Sequence, residues 1–206
     1  MQTNQIDKFS QQFKAARRAG TPLIAIQTPD PAESLMKIKR CSDDETPVIV
    51  WNCLEGMSVD PSGRASNELG IEAVKAVLAD NDIAAATRIP AEMLEIAQVL
   101  PEKTILVIHL AQRIFDQSDS AGVSQFIQGL WNLRDSYKQT MRCVVLLAPS
   151  FTLPAELAQD VLVLDEPLPG DEILREIVKN TYGSVDGLPE LDEPQIARAV
   201  DTLRGL

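Results

Sequence analysis

Aromatic residues make up only 4% of this chain of 206 residues, so any core it builds is aliphatic. Cysteine occurs three times, at Cys41, Cys53 and Cys143. An odd number at such wide spacing gives neither a disulfide framework nor a zinc site, and a reducing cytosol is the expected compartment. Cys53 and Cys143 sit in apolar runs, where they are expected to be small buried hydrophobes. No apolar stretch is long enough for a membrane span, and the polar start MQTNQIDKFSQQFK is not a signal peptide. Positive charge is also scarce. Against 30 acidic residues there are 19 Lys and Arg, a net charge of −11, which disfavours a broad nucleic-acid or anionic-membrane surface.

What is present is a set of aliphatic runs. Apolar residues reach 45%, enough for a sizeable core. The runs TILVIHL (104–110), RCVVLLA (142–148) and VLVL (161–164) are continuous rather than alternating, as in strands buried on both faces. Helical spacing over 122–137 separates the first two, and a short helix is expected before the third. Earlier in the chain, PLIAIQ (22–27) and PVIVWNC (47–53) read as two more strands. An amphipathic helix over 6–19 turns Ile6, Phe9, Phe13 and Ala16 to one side and stops at Gly20. Asp30 caps a second helix with Pro31 as its first residue, running to about Arg40. Residues 54–67, with Gly56, Pro61 and Gly63, read as a surface loop. Further helices are expected over 68–80 with Leu69, Ala73 and Val77 inward, over 90–100, over 171–180 with Ile173, Leu174, Ile177 and Val178 inward, and over 194–204 behind Asp192. Residues 81–89 are ambiguous. Trp51 and Trp131 are both expected in the core. Five strands separated by helices predict an α/β, doubly wound parallel sheet.

Such a sheet invites a search for phosphate chemistry. Phosphate binds where the first strand runs into its helix, on backbone N–H groups and a lysine. Here that turn is Thr28-Pro29-Asp30-Pro31-Ala32-Glu33-Ser34, without glycine or lysine. Two prolines remove donors, and Asp30 and Glu33 put carboxylates where a phosphate would sit. No G-x-x-x-x-G-K-[ST] or G-x-G-x-x-G occurs elsewhere. His109, the one histidine, ends a strand, where it serves either as a general base or ligand or as a hydrogen-bonded core residue. Asp165 and Glu166 form a carboxylate pair that does acid–base work or, more simply, closes a strand in solvent.

The order of segments AARRAG, PLIAIQT, VIVWNCLEG, ILVIHLAQRIF, WNLRDSYK and RCVVLLAPSFTLPAELAQDVLVLDEPLP resembles the amino-terminal domain of the AAA+ ATPases known as hypothetical open reading frames in cyanobacteria and plastids. The resemblance spans about 10–182 and is most specific over 144–169. It implies a RecA/AAA+-like P-loop NTPase fold that lacks its P-loop, with the five strands in the order 5-1-4-3-2. It implies a second, intact AAA+ domain in the same chain, and there ATP and magnesium would bind. Carried across, 28–34 lies at the phosphate-loop place, His109 and Leu110 at the Walker-B place, Pro149 and Ser150 at sensor-1, and Gln159 and Asp160 near the arginine-finger place. None carries the residue the chemistry needs.

The expectation is therefore a degenerate domain over 1–182, with 183–206 a linker and the start of a lid or following domain. It has no catalytic, cofactor-binding or metal-binding residue and no ATPase activity alone. Its work would be assembly, regulation or partner recognition, as a homo-oligomer or with a following AAA+ domain. Two alternatives stand beside it: an adaptor that binds protein through 54–67, and a small enzyme using His109 with Asp165 or Glu166.

Overall fold

The computed structural model describes residues 8–59, 65–78, 82–117, 121–166, 168, 170–185 and 191–204. In chain order the elements are α1 (Lys8–Arg18), β1 (Leu23–Gln27), α2 (Pro31–Arg40), β2 (Val48–Asn52), β3 (Gly56–Val59), α3 (Ala65–Leu78), α4 (Ile83–Ala86), α5 (Pro90–Ile96) with a 3-10 turn over Ala97–Val99, β4 (Ile105–His109), α6 (Ala111–Phe115), α7 (Ala121–Gln139), β5 (Cys143–Ala148), β6 (Leu162–Asp165), α8 (Asp171–Gly183) and α9 (Glu193–Arg204).

The strands form one sheet in the order β3-β2-β4-β5-β1-β6. Five of them run parallel, and their order matches the expected 5-1-4-3-2; β3 adds to β2 antiparallel at the edge. Among the described residues the sheet thus has six strands rather than the expected five, and the surface-loop reading of 54–67 holds only in part. Asn52 starts the reversal, its Oδ1 accepting from the backbone N–H of Leu54 and Glu55 at 3.0 Å each. Gly56 then takes a left-handed turn at φ 66° and opens β3. Residues 60–64 lie outside the described residues, and α3 begins at Ala65. Ile6 and residues 79–81 also lie outside them.

Along β1, β2, β4 and β5 alternation sends neighbours to opposite faces, and helices cover both, which is why those runs read as continuous; β6, at the edge, buries only Leu164 of its four residues, so its expected burial on both faces does not hold. Leu23, Ala25, Ile49, Trp51, Leu106, Ile108, Val144 and Leu146 share one core with Val74 of α3, Leu94 of α5 and Phe126, Leu130 and Tyr137 of α7. Ile24, Ile26, Val48, Ile105, Val107, Val145 and Leu147 face the other way, onto Phe9 and Phe13 of α1 and Ile38 of α2. Beneath the sheet, Arg17 donates to the carbonyls of Met141 at 2.8 Å and Lys103 at 2.9 Å. Those two residues hold positive φ of 56° and 64°, just before β5 and β4.

Several inward assignments are off by a position or a face. Leu69 is 58% exposed, because α3 turns Gly70 and Val74 to the sheet. A Cβ on Gly70 would stand 2.8 Å from Ile49 Cδ1, so the sheet's own isoleucine fills that place. Trp131 is 40% exposed, its ring 4.6 Å from the Arg134 guanidinium carbon. Cys53 is exposed, whereas Cys143 is buried and its thiol pushed up to about 11 by desolvation. Between β5 and β6 the chain makes turns over 155–160 rather than a helix.

The chain divides into two compact units, Met1–Glu166 and Pro167–Leu206, with α8 in the second. The physical reason is the packing of α8. Its Leu174 is buried with Ile196 and Val200 of α9, with Val178 and Leu191 against them, while Ile173 and Ile177 remain about half exposed. As expected, Asp192 caps α9, its Oδ1 accepting from Gln195 N at 2.8 Å while Gln195 Oε1 accepts from Asp192 N at 3.0 Å.

Thr87, just after α4, is wholly buried and holds the β2–β3 hairpin from behind. Its hydroxyl accepts from Met57 N at 2.7 Å and donates to the Ile83 carbonyl at 2.6 Å, and its own carbonyl accepts from Trp51 Nε1. Thr87→Val keeps the shape and strands the Met57 N–H. The variant should lose about 1–3 kcal/mol in urea unfolding, and an unchanged midpoint would show that water reaches that donor.

Candidate functional site

The carboxyl ends of the parallel strands are where α/β sheets gather polar chemistry. At the end of β1 the turn 28–34 is closed by its own side chains. Pro31 brings no N–H to the first turn of α2, and the next two, on Ala32 and Glu33, both donate to Asp30 Oδ1 at 3.1 Å. Ser34 N donates to the Asp30 carbonyl at 3.1 Å. Every backbone donor of that first turn is engaged, and a cap of this kind is worth about 1 kcal/mol.

Beside the cap lies the least exposed charge described. Glu166, directly after β6, is 5% exposed, which corrects its assignment to a solvated strand end. Its backbone N–H donates to the Gln27 carbonyl at 2.9 Å, carrying the β1–β6 ladder one residue further. One carboxylate oxygen takes Lys37 Nζ at 2.6 Å, and the other is bonded by the Ser34 hydroxyl. Ser34 Oγ also stands 2.7 Å from Thr28 Oγ1 and 3.0 Å from the Asp30 carbonyl. A single hydroxyl proton cannot serve all three; the carboxylate, a charged acceptor, takes it. Thr28, 1% exposed, in turn accepts from Asp30 N at 3.0 Å. Serine, threonine, lysine and glutamate thus form one buried cluster between β1, α2 and β6.

Other groups line the same edge. Gln27 bridges outward, donating to Asp165 and accepting from Phe151 N at 2.9 Å. Gln112 accepts from Thr152 N at 2.9 Å and donates to Asp116 at 2.7 Å. A cleft between the ends of β4 and β5 is lined by Leu110, Gln112, Arg113, Asp116, Pro149 and Ser150. Leu110 sits there at φ 52° and 54% exposure, and Ser150 is exposed. Asp160 is ion-paired with Arg134 at 2.9 Å. His109 is half-buried at the end of β4, and desolvation lowers its pKa. Two strands, β5 and β1, stand between it and β6, a spacing of about 14 Å. His109 and the Asp165–Glu166 pair are therefore not brought together. Among the described residues no group of three or more His, Cys, Asp and Glu could hold a metal ion, and no helix is long and apolar enough to cross a membrane.

Residues 9–166 match the family described as SpoVK-like AAA ATPase, N-terminal domain. The chain belongs to that family. The match stops at Glu166, at the end of the first compact unit. Among solved structures, one from the Drosophila ORC bound to DNA is similar at 13% identity, over 76% of this chain and 90% of that one, with a TM-score of 0.36. Comparison with curated proteins gives no match. For the family domain, the buried cluster is the feature that reading local sequence missed. Its signal was strand parity: Leu164 and Glu166 point inward and Asp165 outward. Ser34 and Lys37, one turn apart on α2, also share a face.

A histidine whose folded pKa lies below its usual 6.5 is held neutral by the fold. As pH falls through about 6.5 the unfolded chain takes up the proton first, so stability is lost on going down through that range. His109→Gln removes the titration. Urea unfolding between pH 7.5 and 5.5 should therefore show a shallower loss for the variant than for the parent. Parallel curves would place the imidazole in open solvent.

Proposed function

We propose that this chain is the non-catalytic N-terminal unit of an AAA-type ATPase, serving assembly, regulation or partner recognition for an intact ATPase domain that binds ATP and magnesium. One observation carries the reading. At the place where a P-loop protein offers N–H groups and a lysine to phosphate, this chain spends the donors on Asp30 and sets the Glu166 carboxylate against Ser34 and Lys37. An incoming phosphate would meet a buried negative charge and a capped helix.

The family name supports the placement beside an ATPase domain. The reading extends to a cytoplasmic protein that works as a homo-oligomer or beside a following AAA+ domain, of which the family description, an N-terminal domain, supports the following domain. A small enzyme using His109 with Asp165 or Glu166 is disfavoured by the strands between them. An adaptor working through 54–67 would have, among the described residues, the β2–β3 turn, β3 and the start of α3 to work with.

Titration of a fluorescent ATP analogue into the chain, with magnesium, is the test. No saturable binding is expected up to millimolar nucleotide. A micromolar, magnesium-dependent affinity would overturn the reading, since it requires the Glu166 cluster to open.

A further inference from the structure

We propose that the Glu166 carboxylate is a pin that makes the end of β6 and the first two turns of α2 move as one body. A displacement of the chain beyond residue 166 then reaches α2 directly. The inference rests on the closed-turn reading above and extends it from what the cluster excludes to what it transmits.

β6 is an edge strand with little apolar hold. Of its four residues only Leu164 is buried, and Leu162 and Val163 are 38% and 41% exposed. Among the described residues it pairs with β1 alone, over Ile24↔Leu162 to Gln27↔Asp165. Its carboxyl end is where the chain leaves the first unit, after Glu166. There the polar bonds concentrate. Gln27 ties Asp165, the Gln27 carbonyl ties the Glu166 N–H, and the Glu166 side chain ties α2.

The attachment to α2 has two points. Ser34 and Lys37 sit one turn apart on the same face and each bonds a different carboxylate oxygen. A grip at two points resists rotation of the helix as well as its withdrawal. Lys37 also lies 6.0 Å from the centroid of the Phe9 ring, which brings α1 against the same cation. Exposure follows the same division: the Lys37 side chain is 23% exposed and the Glu166 side chain 4%, so the anion is the interior partner and the cation its lid.

Hydrogen exchange on the full chain, read by amide, tests the coupling through reciprocal variants. Glu166→Ala should lower protection roughly tenfold in β6 and, in the same experiment, across the first two turns of α2, with β4 and β5 unchanged. Ser34→Ala, altered on the helix, should produce the mirror result, with β6 losing protection although it carries no substitution. Glu166→Gln keeps the size and a hydrogen-bonding group and should fall between parent and Glu166→Ala. It also serves should Glu166→Ala fail to fold. The proposal is overturned if each substitution loosens only its own element, if β4 and β5 lose protection by the same factor, or if nothing changes. Saturable ATP binding by the parent chain would instead defeat the closed-turn reading, and exchange measured without nucleotide would still report the coupling separately.

Discussion

A sheet covered on both faces leaves its strands nowhere to put a charge. β5 is buried at all six positions, and β1, β2 and β4 at four of five each. Polar side chains are therefore driven to the strand ends and the connections beyond them. Two arginine ties result at the amino end, where Arg17 reaches Met141 and Lys103 and Arg142 reaches the carbonyls of Gln98 and Pro101. At the carboxyl end the same pressure collects Thr28, Ser34, Lys37 and Glu166 into one cluster. Its strongest bond is the salt link between Glu166 and Lys37.

The five parallel strands are legible as aliphatic runs, which burial on both faces demands of β1, β2, β4 and β5. The cap at Asp30 was legible because it is local, its partners lying two and three residues away. Failures came where the deciding contact is distant. Period alone turns Leu69 inward, yet Gly70 faces the sheet because Ile49 fills the space, and neither residue announces the other. Trp131 reads as core by type, but its ring spends one face on Arg134 at the surface. Glu166 is the largest case. Its partner Ser34 is 132 positions away, and an acidic pair ahead of prolines looks like any solvated strand end. β3 was hidden in a segment rich in turn residues, since four residues are too few to show a period.

The sheet order also has a consequence in time. β1 is made early, yet both of its neighbours are made late: Gln27 meets its partner Asp165 across 138 positions. The tie from Arg17 to Met141 spans 124 positions, a closure almost as remote. During synthesis β1 must wait, unpaired on both edges, until β5 and β6 have emerged, while Phe9 and Phe13 of α1 and Ile38 of α2, which pack with its Ile24 and Ile26, are made close to it in time. Contacts of such long sequence separation slow folding and expose strand edges to other chains. The amphipathic helix at the start, with Phe9 and Phe13 on its apolar side, then acts first as a temporary cover and only later as a wall of the finished core.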